Sequence, residues 1–218
     1  EGGSNATASA VAAAQQLSAD NTIVVVSLEE NVPKQMPKGV TKILYSSNNI
    51  AHPTAETMAQ AIVDQVNTTD DVEFVVGAAT KWGSTVIPRV AGMLQVSPIT
   101  DIIKIEDKLT FWRPIYAGNA LVKVQATRNE SSPLVLSIRP TAFDGVEMVD
   151  DVVVEEISVT EYAHSQWVSE STGANSARPD LTAAEVVVSG GRGMGSGENF
   201  AMLEALADTI GNAAVGAS

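Results

Sequence analysis

The residues best able to do chemistry are gathered in one stretch, residues 186–200, VVVSGGRGMGSGENF. Three valines form a β-branched run. Ser189 to Gly197 then holds five glycines and Arg192. Glu198, Asn199 and Phe200 open a helical pattern that continues through Ala201, Leu203, Leu206, Ala207 and Ile210. A strand, a glycine turn and a helix in this order present backbone N–H groups and a positive helix end to a phosphate. Arg192 adds a planar fork of donors suited to the same anion. Gly190, Gly191, Gly193, Gly195 and Gly197 permit left-handed backbone and close approach to a ligand. Ser196 is placed to cap the helix, with Asn199 at its third position.

The spacing matches neither common phosphate fingerprint. GxGxxG cannot be laid on these glycines, and no Gly-Lys pair follows for a Walker loop. Asp208 lies inside the helical pattern, so no acidic residue ends a following strand to hold a ribose. Two readings stay open on turn chemistry alone. The segment is an anion or dinucleotide site, or it is a flexible turn joining a strand to a helix.

Other reactive groups are sparse. Cysteine is absent, which excludes disulfides, thiolate catalysis and cysteine-ligated clusters. His52 and His164 have neither metal-ligand spacing nor a nucleophile beside them. Ser189 is not in a GxSxG elbow. Asp70-Asp71 and Asp150-Asp151 read as surface acids. Trp82, Trp112 and Trp167 read as packing residues. With 13 Lys and Arg against 26 Asp and Glu, net charge is −13, and a nucleic-acid partner is not expected. No apolar run approaches the ~18 residues of a membrane span.

The elements that must position the turn read as follows. Residues 5–17 carry an alanine stripe with Leu17 at helical spacing, capped by Ser4 or Asn5. Residues 22–28 (TIVVVSL) read as a buried strand, 40–45 as a second, and 72–76 as a third. Residues 54–66 read as a helix with Met58, Ile62 and Val66 on one face. Residues 82–94 read as another, with Pro88 inside it. Alternation of strand and helix predicts an α/β fold with a Rossmann-like, mostly parallel sheet. After Leu94 the pattern becomes a succession of strands: 98–105, 110–116, 121–126, 133–139, 152–154 and 157–159. These are expected to be antiparallel, an elaboration on the first sheet's edge. Residues 169–179 (SESTGANSARP) are the best linker. The expected domains are 1–177 and 178–218, and the roughly forty residues of the second are too few for a self-sufficient core.

Taken together, these motifs resemble one family. The 186–200 stretch, followed by LADTIGNAAVGAS, is similar to the start of the flavin-binding domain in the alpha subunit of electron transfer flavoprotein. FVVGAATKWGSTVI (74–87), PRVAGMLQVSPITDII (88–103) and RPIYAGNAL (113–121) match the same family in the same order. The resemblance covers nearly the whole chain. It implies a first domain whose opening strand precedes Glu1-Gly2, and a doubly wound FAD-binding second domain that continues past Ser218. It implies FAD as cofactor, with Arg192 on its phosphate side and Gly191, Gly193, Ser196 and Ser218 at the same site. No catalytic side chain and no metal are expected. Arg113-Pro114 and residues 116–120 are read as fold and subunit contacts.

The implied function is that of an electron carrier in fatty acid β-oxidation. The implied partner is a beta subunit that holds a separate AMP. Electrons would come from flavin-linked dehydrogenases and pass to a membrane quinone reductase, in the mitochondrial matrix or in a bacterial cytoplasm. Two alternatives stand beside it. One is a truncated, flavin-free alpha-subunit-like module with an assembly role. The other, an NAD-dependent enzyme, is disfavoured by the failed fingerprint.

Overall fold

A computed structural model describes residues 2–18, 22–28, 35–46, 48, 50, 52–127, 132–150, 152–162, 164–169, 178–179, 181 and 184–217. Two compact units emerge, made mainly of Gly3–Trp167 and of Val168–Ser218. The elements of the first are α1 (Gly2–Leu17), β1 (Ile23–Ser27), β2 (Met36–Pro37), β3 (Val40–Ser46), α2 (Ala55–Thr68), β4 (Phe74–Ala78), α3 (Gly83–Met93), β5 (Ile99–Ile102), β6 (Lys104–Asp107), β7 (Thr110–Ile115), β8 (Ala120–Gln125), β9 (Leu134–Ile138), β10 (Met148–Val149) and β11 (Val153–Ile157). The second holds β12 (Val186–Gly190), α4 (Phe200–Ile210) and β13 (Ala213–Ala217).

The expected mixed α/β fold with mostly parallel sheets is found. In the first unit the parallel strands form two three-stranded groups, in the orders β1-β3-β11 and β4-β9-β5. Helix α1 packs one face of both. Its Val11 meets Ile23, Val25 and Ile43, while Ala13 and Leu17 meet Phe74, Val76, Leu134 and Leu136. Helix α2 does the same on the other face. Its Ala59 and Val63 join Val75 and Val135, and its Ala61 joins Leu28, Ile50 and Val159. Among the described residues β1 pairs with β3 alone and β4 with β9 alone. Each therefore keeps one unpaired edge, beneath the same two helices.

The later strands differ from expectation. Residues 133–139 form β9, which is parallel to β4 and β5 and lies between them. All five of its residues are buried. A continuous apolar run such as LVLSI is what a parallel strand covered on both faces requires. Likewise β11 is one strand parallel to β3, where two short antiparallel pieces were expected. Among the described residues the antiparallel pairings are β6-β7-β8, which forms the elaboration, and the short pair β10-β2.

Residues 98–105 also split in two. The break falls at Ile103, and two residues earlier Asp101, with φ of 59°, forms a bulge inside β5 between the Ile99–Leu136 and Ile102–Ile138 pairs. Asp and Asn are the side chains that tolerate this region best after glycine. Arg139, just past β9, holds the bulge: its Nε donates to Asp101 Oδ1 at 2.9 Å and its Nη2 to Oδ2 at 2.5 Å. The bidentate pair holds the Arg139 guanidinium above its ordinary pKa. Buried Ser137 Oγ accepts from the Asp101 amide.

Helix α1 spans Gly2–Leu17, so the positions of Ser4 and Asn5 lie inside it and not at its start. Strand β1 is an edge strand and half-exposed, not buried. Helix α2 starts at Ala55 and is capped by Thr54, whose Oγ1 accepts from the Thr57 amide at 3.2 Å. Its buried residues are Thr57, Ala59, Ala61 and Val63, with Met58, Ile62 and Val66 at the margin, because two clusters are served at once. The tryptophans are not core. Trp82 and Trp167 are 44% and 48% exposed. Trp112 spends its indole N–H on Glu106, 2.9 Å away.

The centre of this unit is β9, and its more deeply buried leucine tests it. Leu136 is fully buried between the two helical layers. Leu136→Ala should cost about 2–5 kcal/mol of unfolding free energy. Denaturant titration of the variant measures it, and a loss under about 1 kcal/mol would show that β9 is not the packing centre.

Candidate functional site

The second unit is built around one parallel pair. Strand β12 runs alongside β13 in register from Val186 opposite Ala213 to Gly190 opposite Ala217. A parallel pair needs a crossover, and α4 supplies it. Leu203 and Ala207 of α4 are buried, as are Ala213 and Ala214. The helix can approach because Gly190 has no side chain. A Cβ there would lie 2.6 Å from Leu203 Cδ1 and 2.7 Å from Met194 Cγ. Arg178 is tied to the far turns of α4. Its Nη2 lies 2.7 Å from Asp208 and donates to the Glu204 carbonyl at 3.2 Å.

Between β12 and α4 the glycine stretch folds into two successive 3-10 turns, Arg192–Met194 and Gly197–Asn199. Internal bonds define their shape. The Met194 amide donates to the Gly191 carbonyl at 2.9 Å, and the Gly195 amide to the Arg192 carbonyl at 3.1 Å. The Ser196 amide donates to the Met194 carbonyl at 2.9 Å. Gly195 has φ of 76°, so this position favours glycine on backbone grounds. Of the stretch's glycines described here, it is the one in the left-handed region.

The proposed site residues separate as follows. Gly191 leads into the first turn in extended conformation. Arg192 and Gly193 lie in that turn and are exposed. A Cβ at Gly193 would meet nothing within 4 Å. Among the described residues Arg192 has no ion-pair partner. Ser196 precedes the second turn but makes no side-chain capping bond, so the capping expectation fails. Asn199 directly precedes α4 with helical backbone (φ −72°, ψ −11°) and also makes no capping bond. Its amide Nδ2 instead donates back to the Met194 carbonyl at 2.6 Å. Ser218 lies outside the described residues.

An exposed guanidinium without an internal anion, on a glycine turn between a strand's carboxyl end and a helix, defines a class: an α/β unit with a phosphate-type turn. Comparison with known proteins gives the family. The model described as "Electron transfer flavoprotein domain" matches residues 3–162. That described as "Electron transfer flavoprotein FAD-binding domain" matches residues 180–218. The mitochondrial electron transfer flavoprotein subunit alpha of Dictyostelium discoideum is 39% identical, over 98% of this chain and 64% of its own length. The subunit alpha of Pseudomonas aeruginosa is 39% identical over 98% of this chain and 68% of its own. The mitochondrial subunit alpha of Oryza sativa is 38% identical over 82% of this chain and 51% of its own. The chain belongs to the electron transfer flavoprotein family. It spans about half to two thirds of the length of these relatives.

Elsewhere, His52 and His164 are in ring contact rather than in a metal site. His52 stacks on Trp167 with centroids 3.9 Å apart, and His164 meets the Tyr162 ring edge-on at 5.2 Å. No group of three or more His, Asp or Glu suited to a metal occurs among the described residues. The residue that sequence reasoning passed over is Asn199. It was weighed only as the third position of a cap, and the signal for its other role is an asparagine four residues after a glycine in a turn.

Backbone strain and ligand approach can be told apart at two glycines. Gly195→Ala should destabilise the unit by about 1–2 kcal/mol through the left-handed backbone alone. Gly193→Ala, pointing into open space, should leave thermal stability unchanged. The melting temperatures of the two variants decide this, and equal values would contradict the turn geometry.

Proposed function

We propose that the chain acts as the alpha-type subunit of an electron carrier, with FAD held at the glycine turn of its second unit. The supporting observation is Arg192: exposed, without an anionic partner among the described residues, and set where strand β12 gives way to α4. Arg192 is assigned to the phosphate side of the cofactor, where a guanidinium fork pairs with phosphate oxygens. Gly191 and Gly193 keep the approach free of side chains, and Ser196 and Ser218 complete the assigned set. When bound, the flavin supplies the redox chemistry, taking up and releasing electrons. The chain's own residues bind it, orient it and shield it, with no proton-transferring side chain required.

The domains we assign are 1–177, an N-terminal α/β domain, and 178–218, part of the flavin-binding domain. The link from Arg178 to α4 supports placing the start of the second at that residue. The partners we assign are a beta subunit carrying AMP, flavin-linked dehydrogenases as donors, and a membrane quinone reductase as acceptor. The compartment is the mitochondrial matrix in a eukaryote and the cytoplasm in a bacterium. No helix among the described residues is long and apolar enough to cross a membrane.

Arg192→Met keeps the length of the side chain and removes its charge and donors. It should weaken FAD binding about 10- to 100-fold, the range of one or two lost charge-assisted bonds. Flavin fluorescence titration of the full-length polypeptide with its partner subunit measures the dissociation constant. An unchanged constant would remove Arg192 from the site.

A further inference from the structure

We infer that Asn199 is a positioning residue for the cofactor turn, holding the backbone that carries Arg192, and is not a cap of α4. The inference rests on the flavin reading above. An asparagine at an N-cap ordinarily turns its side-chain oxygen onto the amides of the first helical turn. Here the side chain points the other way. Its NH2 group donates to the Met194 carbonyl at 2.6 Å, across five residues of chain. The same carbonyl accepts from the Ser196 amide at 2.9 Å. Both bonds span the left-handed Gly195, the residue whose backbone could otherwise relax into the most alternatives. The Asn199 amide is also fixed, donating to the Ser196 carbonyl at 3.3 Å.

Two consequences follow from this geometry. The Met194 carbonyl is engaged on the protein side, so it cannot turn toward an anion and repel it. The turn from Arg192 to Gly195 is closed at one end by its own backbone bonds and at the other by a side chain anchored on α4. Without Asn199 the turn would sample other conformations, and only a fraction would present Arg192 correctly. Apparent affinity falls by that fraction. A donor is needed at this position: a carboxylate or a short hydroxyl at the same backbone site can cap a helix but cannot reach the carbonyl with an N–H.

Capping and clamping predict opposite orders for two substitutions. Serine is a good N-cap that lacks the reaching donor, whereas glutamine is a poor N-cap that keeps an amide NH2. We expect Asn199→Ser to raise the FAD dissociation constant about 3- to 10-fold, the effect of one lost hydrogen bond. Asn199→Gln should lie closer to the parent. In flavin-free full-length protein with its partner subunit, amide hydrogen exchange at Gly195 and Ser196 should speed up in the serine variant and less in the glutamine variant. The reverse order in exchange, with serine like the parent and glutamine disturbed, would establish a helix cap and overturn the inference. Because exchange is read without flavin, it decides the clamp separately from the flavin reading, which fails if the parent protein binds no FAD.

Discussion

Parallel strands cannot be joined by a tight turn, and both units of this protein are shaped by that constraint. Each parallel pair forces the chain to cross over through a helix or through an intervening sheet. In the second unit the crossover from β12 to β13 is α4, and the glycine turn is the point where strand becomes helix. In the first, β9 reaches its place between β4 and β5 only after α3 and the β6-β7-β8 sheet have been made. Because β9 is buried on both faces, its neighbours are fixed on both sides. Just past its carboxyl end Arg139 pairs with Asp101, at the bulge inside β5. Connections at the carboxyl ends of parallel strands are where α/β folds place their ligands.

The parts of this design that local chemistry dictates were legible in the sequence. The helical stripe of residues 54–66, the strand runs at β1, β3 and β12, and the strand–glycine–helix order all carry their own signals. What could not be read was pairing. PLVLSIR has the composition of a buried strand whether its neighbours are parallel or antiparallel, and its partners lie far away in sequence. Proximity to the antiparallel hairpin made the wrong neighbour look natural. The bulge at Asp101 is similar. A single left-handed aspartate shifts the register inside β5, and its partner Arg139 lies far away in sequence.

At the candidate site the residue types singled out one stretch, and the family resemblance named the ligand proposed for it. The roles within the turn required geometry. Gly195 has the left-handed backbone, Gly190 the close packing, and Gly193 open space, three different reasons for one residue type. Ser196, with the composition of a cap, makes no capping bond. Asn199, with the same composition, turns its side chain onto the loop. Hydroxyl and amide side chains beside a helix start are interchangeable in pattern and distinct in reach, so sequence periodicity could not assign them.

The central claim is that this glycine turn serves a flavin. The most direct test is to purify the full-length polypeptide with its natural partner subunit, record absorption from 300 to 550 nm (a window of about 250 nm that spans both oxidised flavin bands), and release the flavin from a denatured portion. One FAD per heterodimer, lost in the Arg192→Met variant, is the result predicted here. A colourless complex, or a flavin retained in full without the guanidinium, would contradict it.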